Sequence, residues 1–173
     1  MNPSLDKPAL NGLAAQSTSQ AKVLVLGSMP GAISLLEQQY YAHPRNQFWP
    51  IMAEIGGFSA NLSYQDKVEA LNARGVALWD VIASCQRSGS LDSAIRDEQP
   101  NDFAGFFATH SQLVAIGFNG AKAWQSFKRY VLPRNTLPSH IQLLNLPSTS
   151  PAYAAMSFAH KLKVWQQLKP FLL

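Results

Sequence analysis

The chain has 173 residues, of which 47% are hydrophobic and 14% charged, which suits one domain around one sizeable core and is too short for two ordinary domains. No uninterrupted apolar run approaches the length of a membrane span, so a soluble protein with no membrane partner is expected. The net charge of +4 is uneven: all ten Asp and Glu lie at or before Asp102, with seven Lys and Arg on each side of it, so the first 102 residues carry −3 and the last 71 carry +7. A polyanionic partner and a merely solvated basic face both fit that asymmetry, and any catalytic carboxylate must come from the first 102 residues.

Residues 1–20 are rich in Ser, Asn, Gln and Ala without periodicity, and read as a mobile tail or short lead-in, with order beginning near Lys22 and one domain over residues 21–173. They lack a basic start followed by an apolar block, so no secretory leader is expected. With a single cysteine, Cys85, this points to the cytoplasm and leaves no intramolecular disulfide. "KVLVLG" (22–27) is a short, partly β-branched apolar run closed by glycine, as in a strand buried on both faces. "GVALWDVI" (75–82), "QLVAIGF" (112–118) and "HIQLLNL" (140–146) repeat the pattern at spacings that leave room for helical crossovers.

The helices between them are placed by period and caps. Asn46 is a candidate N-cap for "NQFWPIMAEIGG", "YQDKVEALNARG" stops at Gly75, Asn119 is a candidate cap for "GAKAWQSFKRYV", and Ser150 with Pro151 reads as the start of the last helix. Phe158, Leu162, Trp165 and Leu168 form the inner stripe of that last helix. The expected fold is a three-layer α/β/α sandwich with a central four-stranded parallel sheet, whose ligands collect at the carboxyl ends of the strands.

Four segments lie at those ends: "GSMPG" (27–31), Asp80, "FNG" (118–120) and "NLPSTSP" (145–151). The Gly27–Gly31 turn exposes backbone N–H groups suited to an anion, but it matches neither a P-loop nor a dinucleotide fingerprint. The four histidines, His43, His110, His140 and His160, pair with nothing at ligand spacing, and neither a metal nor another cofactor is expected. Cys85 has no histidine partner and reads as a packing residue. No G-x-S-x-G elbow supports a serine hydrolase.

Taken in order, "GSMPG", "YYAHPRNQFW" (40–49), "ALWDVIASCQRSGSLDSAI" (77–95), "FNG" and "LPSTSPAYA" (146–154) resemble the motifs of the uracil-DNA glycosylase superfamily, and among its branches most resemble the hypoxanthine (deoxyinosine) DNA glycosylases. The resemblance spans about residues 22–170 and implies a monofunctional hydrolase that flips a deaminated base out of double- or single-stranded DNA and cuts its N-glycosidic bond, as in base excision repair, acting as a monomer. It assigns Tyr41 to stacking under the flipped base. Where the uracil enzymes carry a water-activating Asp or Asn, this chain has Met29, and the hypoxanthine branch attributes that work to the position of Asn46. Asp80 falls where the uracil enzymes read the base edge, as a reader of purine N1–H or a second group for orienting water; an Asp merely held at a strand end is the alternative. Leu146 replaces a histidine that often stabilises the departing base, which leaves the Ser28 and Met29 amides or the Ser148 hydroxyl for that task. Thr149, Ser150 and Pro151 are candidates to press into the vacated stack, and Lys122, Lys128, Arg129, Lys161 and Lys163 to hold phosphates. A uracil or mismatch glycosylase, and a non-catalytic nucleic-acid or nucleotide-binding module, are the alternatives.

Overall fold

The computed structural model of the chain describes residues 8–173, and the expected tail at residues 1–7 lies outside the described residues. In chain order the elements are β1 (Leu10–Asn11), β2 (Val23–Gly27), α1 (Ala32–Glu37), α2 (Phe48–Gly56), α3 (Tyr64–Ala73), β3 (Val76–Asp80), β4 (Ile82–Gln86), β5 (Arg96–Pro100), α4 (Phe103–Thr109), β6 (Ala115–Asn119), α5 (Ala121–Ser126), β7 (Gln142–Leu146) and α6 (Phe158–Trp165). Strands β3, β2, β6 and β7 form the expected parallel sheet in that order. Val25 sits at its centre, opposite Leu78 on one side and Gly117 on the other.

Alternation along the strands divides the core in two. Val23, Val25, Val76 and Leu78 face α2, α3 and α6 through Phe48, Ile51, Met52, Leu71 and Trp165. Leu24, Leu26, Ala77, Ile116 and Phe118 face α4 and α5 through Phe103, Phe106, Ala123 and Phe127. Every residue of β2 is buried, which explains its continuous apolar run, since a central parallel strand has no wet face. At the edge, β7 exposes Gln142, Leu143 and Asn145.

Four expectations are corrected. The run over residues 75–82 is not one strand: after Val81 the chain turns into β4, which joins β1 and β5 in a separate antiparallel sheet. Order begins before Lys22, because Leu10 and Asn11 pair with Cys85 and Ser84, and Gln16 bridges to Leu78. The residue capping α5 is Gly120, at φ 93, a left-handed position glycine adopts without strain, and the Asn119 side chain is occupied elsewhere. Finally, α6 begins at Phe158 with Ser157 accepting from the His160 amide, so Ser150 and Pro151 belong to a loop. Trp165 and Lys161 are buried on this helix, Leu168 is buried in the 3-10 turns that follow it, Leu162 is half-buried, and Phe158 is 39% exposed.

Candidate functional site

A cleft of about 990 Å³ opens at the carboxyl ends of the parallel strands. The turn after β2, the last residue of β3, the junction of β6 with α5 and the loop after β7 all reach it, as the sheet topology requires. Gly27 shows how closely its parts meet: a Cβ there would lie 2.5 Å from Asp80 Oδ1 and 3.2 Å from the Tyr41 hydroxyl. Only a residue without a side chain lets carboxyl and phenol converge over the strand end.

Tyr41 has φ 56, an uncommon conformation for a non-glycine residue. Its ring stacks on Phe48 with centroids 4.1 Å apart and planes at 27°, so the core aromatic at the start of α2 backs the half-buried one in the cleft. Burial, with the Asp80 charge behind it, holds the Tyr41 hydroxyl well above the ordinary phenol range, and it stays neutral at physiological pH. Asn46 also borders the cleft. The N-cap of α2 is Gln47 rather than the expected Asn46; Asn46, one residue earlier, has its Oδ1 accepting from the Phe48 amide at 2.9 Å. One lone pair of the amide oxygen remains for a further donor.

Asp80 is only 3% exposed, and its Oδ2 is buried without a hydrogen-bond partner among the described residues. Burial, then the neighbouring Asp92, push its pKa up to about 7, with Arg87 pulling the other way. Ser28 Oγ donates to Asp92 Oδ1 at 2.6 Å. The Ser28 and Met29 amides donate to no carbonyl among the described residues, which leaves them available to an acceptor in the cleft. Met29 also borders the cleft, and its side chain packs with Ile82, Cys85 and Ile95. Cys85 in this small cluster is 1% exposed, and burial raises its thiol pKa, which suits packing rather than nucleophilic work.

The loop after β7 departs furthest from expectation. Ser148 borders the cleft against Gly120, and its Oγ accepts from the Ser150 amide at 3.2 Å. Thr149 is fully buried: its amide donates to Asn119 Oδ1, its Oγ1 accepts from Asn119 Nδ2, both at 2.9 Å, and its carbonyl accepts from the Gln47 amide. A side chain so held is not free to enter a base stack, which leaves Ser150 and Pro151 on the rim.

The cations separate as well. Lys122 borders the cleft but pairs with Glu98 at 2.8 Å. Lys128 and Arg129 are exposed on the continuation of α5, over the Trp124 and Tyr130 rings, and Lys163 is exposed on α6. Lys161 is corrected: it is 2% exposed, donates from Nζ to the Tyr153 carbonyl at 2.8 Å and sits under the Tyr153 ring. It props the loop rather than facing a phosphate.

The motif over residues 77–95 spans the tip of the β4–β5 hairpin, but sequence reasoning gave its side chains no role. Arg87 donates to the Pro30 carbonyl at 2.6 Å, Ser90 Oγ accepts from the Ala32 amide at 2.9 Å, and Asp92 holds Ser28. These polar attachments fasten one wall of the cleft to the Gly-rich turn.

The Tyr41 ring, the buried Asp80 carboxyl group and the Ser28 and Met29 amides thus meet in one cleft at the carboxyl ends of the parallel strands. The chain belongs to the uracil DNA glycosylase superfamily, whose model matches residues 15–169. It is 38% identical over 103 residues to a hypoxanthine DNA glycosylase of Methanosarcina barkeri, a match covering 59% of this chain and 65% of that protein, just under two thirds. Against a protein of the same description from Methanosarcina acetivorans the identity is 39% over 113 residues, covering 65% and 72%. The solution NMR structure of a Methanosarcina acetivorans protein described as a candidate uracil DNA glycosylase superposes with a TM-score of 0.76 at 31% identity, over 94% of this chain and 99% of that one. Among the described residues no helix is long and apolar enough to cross a membrane.

Proposed function

We propose that this protein is a monofunctional DNA glycosylase that extrudes a deaminated base and hydrolyses its N-glycosidic bond, with hypoxanthine in deoxyinosine as the preferred target. The observation that carries the reading is a difference in chemistry at the cleft: Met29 packs its side chain in an apolar cluster, while Asn46 lines the cleft with one acceptor lone pair unused. The relatives named for hypoxanthine support the choice of base.

In this reading the extruded base lies on Tyr41, at an extrusion cost of a few kcal/mol that is smallest for a weakly paired lesion. Asn46 is too weak to take a proton outright. Its amide oxygen accepts a hydrogen bond from water and fixes it toward C1′, a positioning effect. As the C1′–N9 bond lengthens, negative charge grows on the base, and the free Ser28 and Met29 amides, with Ser148 nearby, are placed to meet it. Asp80 faces the base edge. Ser150 and Pro151 sit where the duplex would be parted, with Lys128, Arg129 and Lys163 as phosphate contacts and the protein acting as a monomer.

Asn46 also accepts the Phe48 amide bond, so Asn46→Ala removes about 1 kcal/mol of stability along with the water contact. Urea unfolding of the same variant measures the stability loss apart from the loss of the water contact. Single-turnover release of hypoxanthine from an inosine-containing duplex is expected to fall at least 100-fold in Asn46→Ala, with duplex binding retained. Parent-like release would remove Asn46 from the chemistry, and faster release from a uracil-containing duplex would transfer the specificity to uracil.

A further inference from the structure

The reading above leaves the purine without an evident proton donor. Leu146, at the position where the related uracil enzymes often carry a histidine, is 4% exposed and packs over Gly117, where an added Cβ would lie 2.9 Å from its Cδ1. Backbone amides lower the charge on a departing base but transfer no proton, and purines leave far more readily once protonated on the ring.

The proton-bearing side chains around the cleft narrow quickly. Lys122 is paired with Glu98. His43 accepts from the Arg45 amide through Nδ1 at 3.0 Å, within its own loop, and Asp92 is exposed and engaged by Ser28. Asp80 differs in kind. It borders the cleft, is 97% shielded from solvent as a residue, and keeps Oδ2 buried and unpartnered. An ionised oxygen in such a place is costly unless donors surround it, whereas a protonated one needs only a single acceptor. Among the described residues no protein acceptor meets it, and a bound base would bring one.

We propose that Asp80 is the general acid of the reaction, donating its carboxyl proton to N7 of the purine as the C1′–N9 bond breaks. This rests on the glycosylase reading above. The C1′–N9 electron pair passes to the purine, the Asp80 O–H proton moves to N7, and the water held by Asn46 forms the new C1′–O bond. The proton that water sheds restores the Asp80 carboxyl group, so hypoxanthine leaves neutral, the sugar keeps a hydroxyl, and nothing is oxidised or reduced. The groups facing Asp80 are Tyr40 and Tyr41 from the loop before α2, Asp92 from the hairpin tip and Arg87 from the end of β4. Burial and Asp92 favour the neutral carboxyl and Arg87 opposes them, setting the pKa at about 7, where a general acid is most effective at physiological pH.

The test measures single-turnover hypoxanthine release from pH 5 to 9 for the parent protein and Asp80→Asn, which keeps the shape but carries no transferable proton. The parent rate is expected to fall about tenfold per pH unit above about pH 7. Asp80→Asn should be about 100-fold slower at pH 6, lose that alkaline fall, and still bind the inosine duplex. A second substrate, a duplex bearing 7-deaza-2′-deoxyinosine, requires no variant: the parent should release its base at least 100-fold more slowly. Parent-like rates and pH dependence in Asp80→Asn, or equal release of the 7-deaza base by the parent, overturn the assignment while leaving the glycosylase reading standing. A parent that releases no base from any damaged duplex overturns both.

Discussion

Asp80 makes a prediction that needs no substrate, because a buried carboxyl that stays protonated near neutrality ties folding to pH. In the folded chain it titrates at about 7; in the unfolded chain an aspartate titrates near 4. Between those values the native state holds a proton that the unfolded state has released. Stability therefore falls as pH rises through that window, at about 1.4 kcal/mol per unit, and levels off above it. About three units separate the two pKa values, so the ceiling is about 4 kcal/mol, of which about 3 kcal/mol lies between pH 5 and 8. Asp80→Asn does not titrate and leaves every other ionisable group in place. Subtracting the parent's urea-unfolding free energy from the variant's at pH 5, 6, 7 and 8 should give a difference that moves in the variant's favour as pH rises. With a slope of about 2–3 kcal/mol per molar urea, the relative midpoint shift is about 1 M. A difference that stays constant across this range would refute a neutral Asp80 and mean that the carboxylate is ionised in both the folded and the unfolded chain.

Gly27→Ala places a methyl 2.5 Å from Asp80 Oδ1, and single-turnover release should drop at least tenfold while far-UV circular dichroism stays unchanged. Lys161→Met keeps the buried stem but deletes the bond to the Tyr153 carbonyl, so unfolding free energy should fall by about 1–3 kcal/mol with no change in the salt dependence of DNA binding. Lys128→Glu with Arg129→Glu should do the reverse, leaving stability near the parent's and reducing the slope of log K against log salt by about 2.

The parallel sheet was readable because burial on both faces writes a continuous apolar word, and "VLVLG" could be little else. The hairpin sheet was not, since "RDEQP" combines three charged residues with a proline and is held in strand form by pairing with β4 rather than by its own propensity. The "FNG" and "LPSTSP" motifs were visible as strand-end segments. Their mutual bonding was not, because Asn119 and Thr149 lie 30 residues apart and an asparagine beside Gly-Ala reads locally as a cap. The burial of Lys161 did carry a local signal. It stands four residues before Trp165, on the same helix face, and its charge drew attention away from that spacing. Asn46 was read both as a cap and as a site residue; the cap is Gln47, while Asn46 bonds the Phe48 amide and borders the cleft, a division that residue type alone does not reveal.

The hairpin that fastens the Gly-rich turn has a consequence for how such a protein changes over time. Residues 82–95 contribute to neither of the two large apolar clusters that hold the sheet between its helices, yet Arg87, Ser90 and Asp92 fix one wall of the cleft. Drift at the tip of that hairpin reshapes the cleft wall while leaving the two large clusters untouched, whereas Ile82, Cys85 and Ile95 at its base are held by their packing with Met29. Change in the shape of the cleft and selection for a stable fold thus act on different stretches of the chain, and a lineage can explore the first while conserving the second.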